Sequence, residues 1–270
     1  MRGSERIARN EKTDVRSLFD LTGRVAVVTG AAGLYGTPIS EALAEAGAHV
    51  ILASRNEMHC EKHASNLLQR GLAASAECYD QSKEDSILAF CNRVLVKWGR
   101  VDVFVNNSVA RPMRTYHDNL NAWRESMKVN ATGQFAILRA FLDLMIQAGR
   151  GSIISVSSVQ GVVGPDFRTY AGTDKTTPPD YHFHKHGLIG LTKYLAAWGG
   201  PHGVRVNAVS PGGFYTADIN ERIVSQYCSR VFLGRMADFD DIKGVIVFLA
   251  SEASRYVTGQ NIIVDGGYTC

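Results

Sequence analysis

Short apolar, β-branched runs recur along the chain at residues 25–29, 50–53, 101–106, 153–156, 204–209 and 262–264, and each predicts a buried strand. A weaker strand ends at Tyr79, so the sheet is expected to hold about seven strands. Between the runs the apolar positions change to helical spacing, as in Ile39, Leu43 and Ala46, or Ile87, Phe90, Val94 and Trp98. Strand and helix in alternation predict an α/β fold: a single-domain, Rossmann-like, doubly wound parallel sheet with helices on both faces. Ligands in such a sheet bind beyond the carboxyl ends of the strands, near the point where strand order reverses.

The 270 residues suit one large α/β domain over residues 18–270, preceded by a polar arm at 1–17 that is expected to be flexible. Apolar residues form 45% of the chain, enough to cover a sheet on both faces. A net charge of +3, scattered along the sequence, excludes a nucleic-acid or membrane footprint. The five cysteines, Cys60, Cys78, Cys91, Cys228 and Cys270, lack ligand or disulfide spacing, which favours reduced thiols and the cytoplasm. The first residues lack the apolar core of a leader, and no apolar run is long enough to cross a bilayer. Residues 161–180, rich in Gly, Pro, Thr and Asp, read as a long substrate-loop insertion.

After the first strand comes Thr29-Gly30-Ala31-Ala32-Gly33-Leu34-Tyr35-Gly36, then an amphipathic helix. Glycines allow a tight turn and close backbone approach to a pyrophosphate, whose charge meets free amides and the positive end of the helix dipole. With Tyr181 and Lys185 four apart at a helix start, Ser158 closing a strand and Asn106-Asn107 closing another, this chain resembles the short-chain dehydrogenase/reductase family across nearly its whole length. It departs from the family at Leu34, where glycine is usual, with Gly33 displaced by one, and at Ser108 and Val109 after the paired asparagines. The Ser158 to Tyr181 interval is also longer than the family's, because of the insertion.

A phenol loses its proton near pH 10 unaided, so acid/base work near neutrality requires a neighbouring cation, which Lys185 supplies from the same helical face as Tyr181. Ser158, or Ser157 in the alternative register, is expected to steady charge on a substrate oxygen; Ser155 reads as a strand residue. Tyr170 rivals Tyr181 by its distance from Ser158, but Pro178 and Pro179 argue against a helix running on from it. The resemblance implies catalytic Ser158, Tyr181, Lys185 and Asn130, the last holding a relay water beneath the lysine; the plain alternative for Asn130 is a local helix kink. It also implies cofactor contacts from Gly30, Gly33, Leu34, Tyr35, Gly36, Ser54, Arg55, Asp80, Asn106, Asn107, Tyr181, Lys185, Pro211, Gly212 and Thr216.

Where an acidic residue would take the ribose hydroxyls, Ser54 and Arg55 stand instead, a cation suited to a 2′-phosphate that favours NADP(H) over NAD(H). His182 and His186 share a helical face without an acidic or thiol partner, so no metal is expected. Val264-Asp265-Gly266-Gly267 resembles the family's closing strand and turn. The expected activity is NAD(P)-dependent interconversion of a secondary alcohol and a ketone on a small molecule, with a homotetramer as the implied assembly. Tyr170-Ala171-Gly172-Thr173, with Thr176, Thr177 and Pro178, is similar to a subgroup tied to bacterial surface-sugar and flagellin-glycan pathways. A 3-oxoacyl reductase, a dehydratase or epimerase that recycles its nucleotide, and a nucleotide-sensing binding protein are the competing functions.

Overall fold

Five consecutive buried residues form β1 (Val25–Thr29), and they divide alternately between two cores. Ala26 and Val28 face one side of the sheet, Val25 and Val27 the other, which is why the strand reads as a continuous apolar run. The computed structural model describes residues 14–270, so most of the expected arm at 1–17 lies outside the described residues. The remaining strands are β2 (His49–Ser54), β3 (Ala74–Cys78), β4 (Val103–Asn106), β5 (Gly151–Val156), β6 (Val204–Pro211) and β7 (Asn261–Val264). All pair in parallel in the order β3-β2-β1-β4-β5-β6-β7, the seven-stranded single α/β domain that the alternation predicts.

One face is covered by α1 (Gly36–Glu45), α2 (Glu57–Gln69) and α8 (Lys243–Ala250), through Ile39, Leu43, Leu67, Ile246 and Leu249. The opposite face carries α3 (Glu84–Trp98), α5 (Gln134–Ala148) and α6 (Pro179–Gly199), through Phe90, Phe141 and Leu188. Phe104 of β4 stacks on Phe141 with ring centres 4.1 Å apart. Each such side chain contributes about 1.5–3 kcal/mol by leaving water. Two short helices, α4 (Leu120–Met127) and α7 (Glu221–Cys228), lie outside these layers.

Helix α1 starts three residues before the apolar pattern of Ile39, because Pro38 in the first turn needs no amide partner. Between α4 and α5 the chain makes a π-helical turn, Lys128–Gly133, around Asn130. The 161–180 segment contains a 3-10 turn, Phe167–Tyr170, and ends in α6 with Pro179 as its first residue. No helix among the described residues is long and apolar enough to cross a membrane.

Candidate active site

The strand order reverses between β1 and β4, and a cleft of about 820 Å³ opens there above the carboxyl ends of the strands. Gly30, Gly33, Leu34 and Tyr35 line one end, followed by Ser54, Arg55, Asp80 and Asn107. Ser158, Tyr181, Lys185, Pro211 and Gly212 line the other end.

Gly30 makes the turn after β1 with φ of 60°, a conformation that favours glycine. Gly36 lies behind the cradle rather than on its wall: a Cβ there would meet the Gly30 carbonyl at 2.0 Å, so its lack of a side chain lets α1 start against the turn. Helix α1 has no side-chain cap, and the amides of Leu34 and Tyr35 donate to no acceptor among the described residues. That is the donor set a pyrophosphate needs, so the residues fit a dinucleotide. Leu34 departs from the glycine pattern without strain, since no described non-glycine residue has positive φ, and its side chain stays exposed. The Tyr35 hydroxyl donates to the carbonyl of Gly212 at 2.8 Å, tying the glycine loop to the turn after β6.

Farther along the cleft, Ser54 hydrogen-bonds the backbone of Asn56, and the Arg55 side chain is exposed on the wall. Asp80 accepts from the amide and hydroxyl of Ser82. Asn107 bridges strands: its side-chain amide donates to the carbonyls of Thr29 (3.2 Å) and Gly30 (3.0 Å), which braces the turn from behind. Asn106 is buried at 1% exposure with both side-chain polar atoms unpartnered among the described residues, and it does not line the cleft. Thr216 is likewise set back from the lining, beyond the bridge between Phe214 and Ala237.

Tyr181 enters the cleft from the first turn of α6. Burial pushes its phenol up, but the Lys185 ammonium, then the Arg111 guanidinium and the Ser158 hydroxyl, outweigh that and bring it below the ordinary 10. Lys185 is 5% exposed, sits 5.5 Å from the Tyr181 ring centre and donates to the Val156 carbonyl at 2.6 Å. Burial draws its ammonium below the ordinary lysine range. Ser158 accepts from the Gln160 amide at 3.1 Å, which fixes its oxygen and leaves its proton free to donate. Ser157 is committed elsewhere, donating to the Lys185 carbonyl at 2.8 Å. Tyr170 also lines the cleft, yet burial raises its phenol, the opposite of Tyr181.

The side chain of Asn130 is fully engaged. Its oxygen accepts from the Ala110 amide (2.8 Å), and its nitrogen donates to the Ala110 carbonyl (2.8 Å) and to Ser126 (3.1 Å). It clamps the loop after β4 to the π-helical turn, which joins the helix kink to a positioning role. Ser126 in turn meets Asp180 and the His184 ring (2.9 Å), a buried polar chain that runs from α4 to the start of α6. The three histidines diverge: His182 contacts Thr177, His184 contacts Ser126 and His186 contacts the His182 carbonyl.

Sequence reasoning overlooked Arg111. Its guanidinium carbon lies 4.6 Å from the centre of the Tyr181 ring, on the cleft wall. It also overlooked Gln160, which accepts from Thr177 at 2.8 Å and faces the Tyr170 hydroxyl. The insertion lines the cleft with Thr169, Tyr170, Thr176 and Thr177, and ion pairing of Asp166 with Arg230 docks it beside α7.

A parallel seven-stranded sheet, a glycine turn feeding a helix, and a Tyr-Lys pair over the strand ends define a nucleotide-dependent oxidoreductase. The family model described as enoyl-(acyl carrier protein) reductase matches residues 30–269. Gluconate 5-dehydrogenase of Gluconobacter oxydans (strain 621H) is 32% identical over 260 residues, covering 93% of this chain and 97% of that protein. The 3-oxoacyl-[acyl-carrier-protein] reductase of Aquifex aeolicus (strain VF5) is 33% identical, covering 92% of this chain and 98% of its own length. A crystal structure of a gluconate 5-dehydrogenase from Burkholderia cenocepacia J2315 in complex with NADP and tartrate superposes with a TM-score of 0.86 at 30% identity, covering 95% of this chain and 99% of that one. The chain belongs to the short-chain dehydrogenase/reductase family and is a short-chain NAD(P)-dependent oxidoreductase.

Proposed function

We propose that this enzyme interconverts a secondary alcohol and a ketone on a small, polyhydroxylated, carbohydrate-derived substrate, with NADP(H) as the preferred nucleotide. The observation that carries the reading is the Tyr181 phenol held in the cleft beside Lys185 and drawn below its ordinary range. A nicotinamide, when bound, supplies or takes the hydride at carbon. Tyr181 gives the proton to the carbonyl oxygen during reduction, and its phenolate takes the hydroxyl proton during oxidation. Ser158 donates to the same oxygen and steadies the charge that develops there. Lys185 stabilises the phenolate and offers its remaining protons to a ribose. Asn130 sets the loop that forms the opposite wall.

The nucleotide preference rests on Arg55, an exposed cation on the wall where an acidic residue would otherwise recognise the ribose hydroxyls. The sugar-like substrate rests on the polar wall of Gln160, Tyr170, Thr176 and Thr177, and on the likeness to a gluconate 5-dehydrogenase. The stretch around Tyr170 extends the proposed class to keto-sugars and sugar nucleotides of surface-glycan pathways. Phe183, Tyr194 and Trp198 expose apolar surface along α6, which supports a homotetramer built partly on that helix. A second reading, 3-oxoacyl reduction, is favoured by Met113, Ile219, Ile223 and Met236 on the cleft wall, which suit an acyl chain, and by the reductase of Aquifex aeolicus.

The test is a screen of polyols, aldonic acids, keto-sugars, sugar nucleotides and acyl thioesters with both nucleotides, repeated on Tyr181→Phe. The expected result is turnover of the polyhydroxylated compounds, faster with NADP(H), and a loss of about 10³-fold in Tyr181→Phe with nucleotide affinity retained. Preference for thioesters reverses the substrate assignment, and undiminished turnover in Tyr181→Phe eliminates the mechanism.

A further inference from the structure

Resting on the reading above, we infer that Arg111 is a substrate-binding residue that docks a carboxylate, so that the enzyme's substrates are hydroxy or keto acids of the sugar series rather than neutral polyols. The loop that presents Arg111 is rigidly held. Asn130 pairs with both the amide and the carbonyl of Ala110, the residue just before it. Pro112, just after it, restricts Arg111 to extended backbone. Met113 is buried at 4% exposure and anchors the far side. That anchored backbone sets the base of an exposed side chain, whose guanidinium lies over the ring of Tyr181.

Its charge lies beside the Tyr181 phenol and has no carboxylate counterpart among the described residues. Among the described residues no carboxylate lies within ion-pairing distance of the Arg111 guanidinium. The acids that line the cleft are engaged elsewhere: Asp80 with Ser82 and Lys83, and Asp180 with Ser126. Arg114, with Asp118 beside it, adds a second cation to the same wall, and Lys185 a third at the floor. The reacting end of the cleft therefore carries an excess of positive charge, which attracts anions and holds them near Tyr181. A guanidinium presents a planar fork that matches a carboxylate with two parallel hydrogen bonds. Placed beside the ring of Tyr181, that fork holds the acid end while the hydroxyl-bearing carbon a short chain away meets the phenol oxygen.

Matched acid and alcohol pairs test the inference: D-gluconate against D-glucitol, and L-threonate against threitol, with the full chain and NADP⁺. Specificity constants and calorimetric dissociation constants are measured for wild type, Arg111→Gln and Arg111→Lys, with thermal midpoints to confirm folding. Wild type is expected to favour the acid of at least one pair by about tenfold or more, and Arg111→Gln to erase that preference through KM, with Arg111→Lys recovering part of it. Equal loss on both members of each pair, or no acid preference in wild type by either measurement, overturns the inference. The calorimetric ratio reads the same way where no turnover is seen. A Tyr181-dependent oxidation of the neutral polyols without acid preference sinks the role of Arg111 and leaves the alcohol/ketone reading standing. An acid preference in binding that Arg111→Gln removes, with no turnover of any substrate, does the reverse.

Discussion

Asp102, at the amino-terminal end of the sheet, and Lys185, at the carboxyl end, are buried to nearly the same depth, 6% and 5% exposed. Asp102 accepts from the Val25 amide at 2.9 Å and is ringed by the guanidinium groups of Arg24, Arg100 and Arg150. Among the described residues the Lys185 ammonium meets a neutral carbonyl and a phenol but no carboxylate, and burial draws it below its ordinary range. A buried charge that is fully partnered serves the fold, because breaking it leaves the partners stranded. A buried charge without a counter-ion costs the fold and persists where chemistry uses it. The same contrast separates the partnered arginines around Asp102 from Arg111, whose guanidinium faces a cleft.

The sharpest way to break this comparison is to replace each charge. Lys185→Met should lower turnover by about 10³-fold while the fold keeps its thermal midpoint or gains, because an unpaired buried ammonium disappears; steady-state rates and thermal melts check both halves. A large loss of stability would place Lys185 with the structural charges. Asp102→Ala should do the opposite, costing about 1–3 kcal/mol in denaturant titration, because the buried Val25 amide loses its acceptor while the partly exposed arginines turn to solvent, and leaving turnover of the folded protein unchanged.

Arg55→Ala probes the proposed adenosine end of the same edge. The KM for NADP(H) should rise by about tenfold, with that for NAD(H) nearly unmoved, as kinetics with both nucleotides would read. Equal changes would make Arg55 an ordinary surface cation. The phenol offers a subtler measure. Lys185 of its own helix, Arg111 of the loop after β4 and Ser158 after β5 hold Tyr181 low, so alcohol oxidation should rise with pH through a midpoint below 10, and ketone reduction should fall over the same range. Arg111→Gln should move that midpoint upward in a pH-rate profile; an unmoved midpoint would remove Arg111 from the site's electrostatics.

The smallest effect concerns Asp241, whose carboxyl is held down to about 2, chiefly by Arg235. A carboxyl lowered in the folded state contributes stability above its unfolded value near 4 and loses it as pH falls toward 2. The pair is solvent-exposed, so Asp241→Asn should cost below about 1 kcal/mol at neutral pH and less still in acid, as melts across pH would show.

Much of this was legible along the chain. The strand runs appear in continuous apolar stretches because the sheet is covered on both faces. The Tyr181-Lys185 pair needs only helical spacing to share a face. Tyr170 shows where legibility thins: Pro178 and Pro179 set it aside along the chain, yet it stands in the cleft as well, and its surroundings raise its phenol while those of Tyr181 lower it. Gly36 was legible as part of a motif but not as packing against the Gly30 carbonyl. Asn130 was legible through the family resemblance as a relay residue, with a helix kink as the plain alternative, whereas its grip on Ala110 depends on a loop twenty residues earlier in the chain.

Local order, then, was written in the residues themselves: where strands and helices run, which glycine turn feeds a helix, and which phenol has a lysine one turn away. What the tertiary structure alone decided are the meetings of distant segments. Tyr35 reaches Gly212, Ser126 reaches Asp180, and Arg111 reaches Tyr181. These depend on β4 lying between β1 and β5, and on the packing of α6 against the sheet. Hydrophobic periodicity specifies which face of an element is buried, but it carries no information about which polar tips the packed elements bring together.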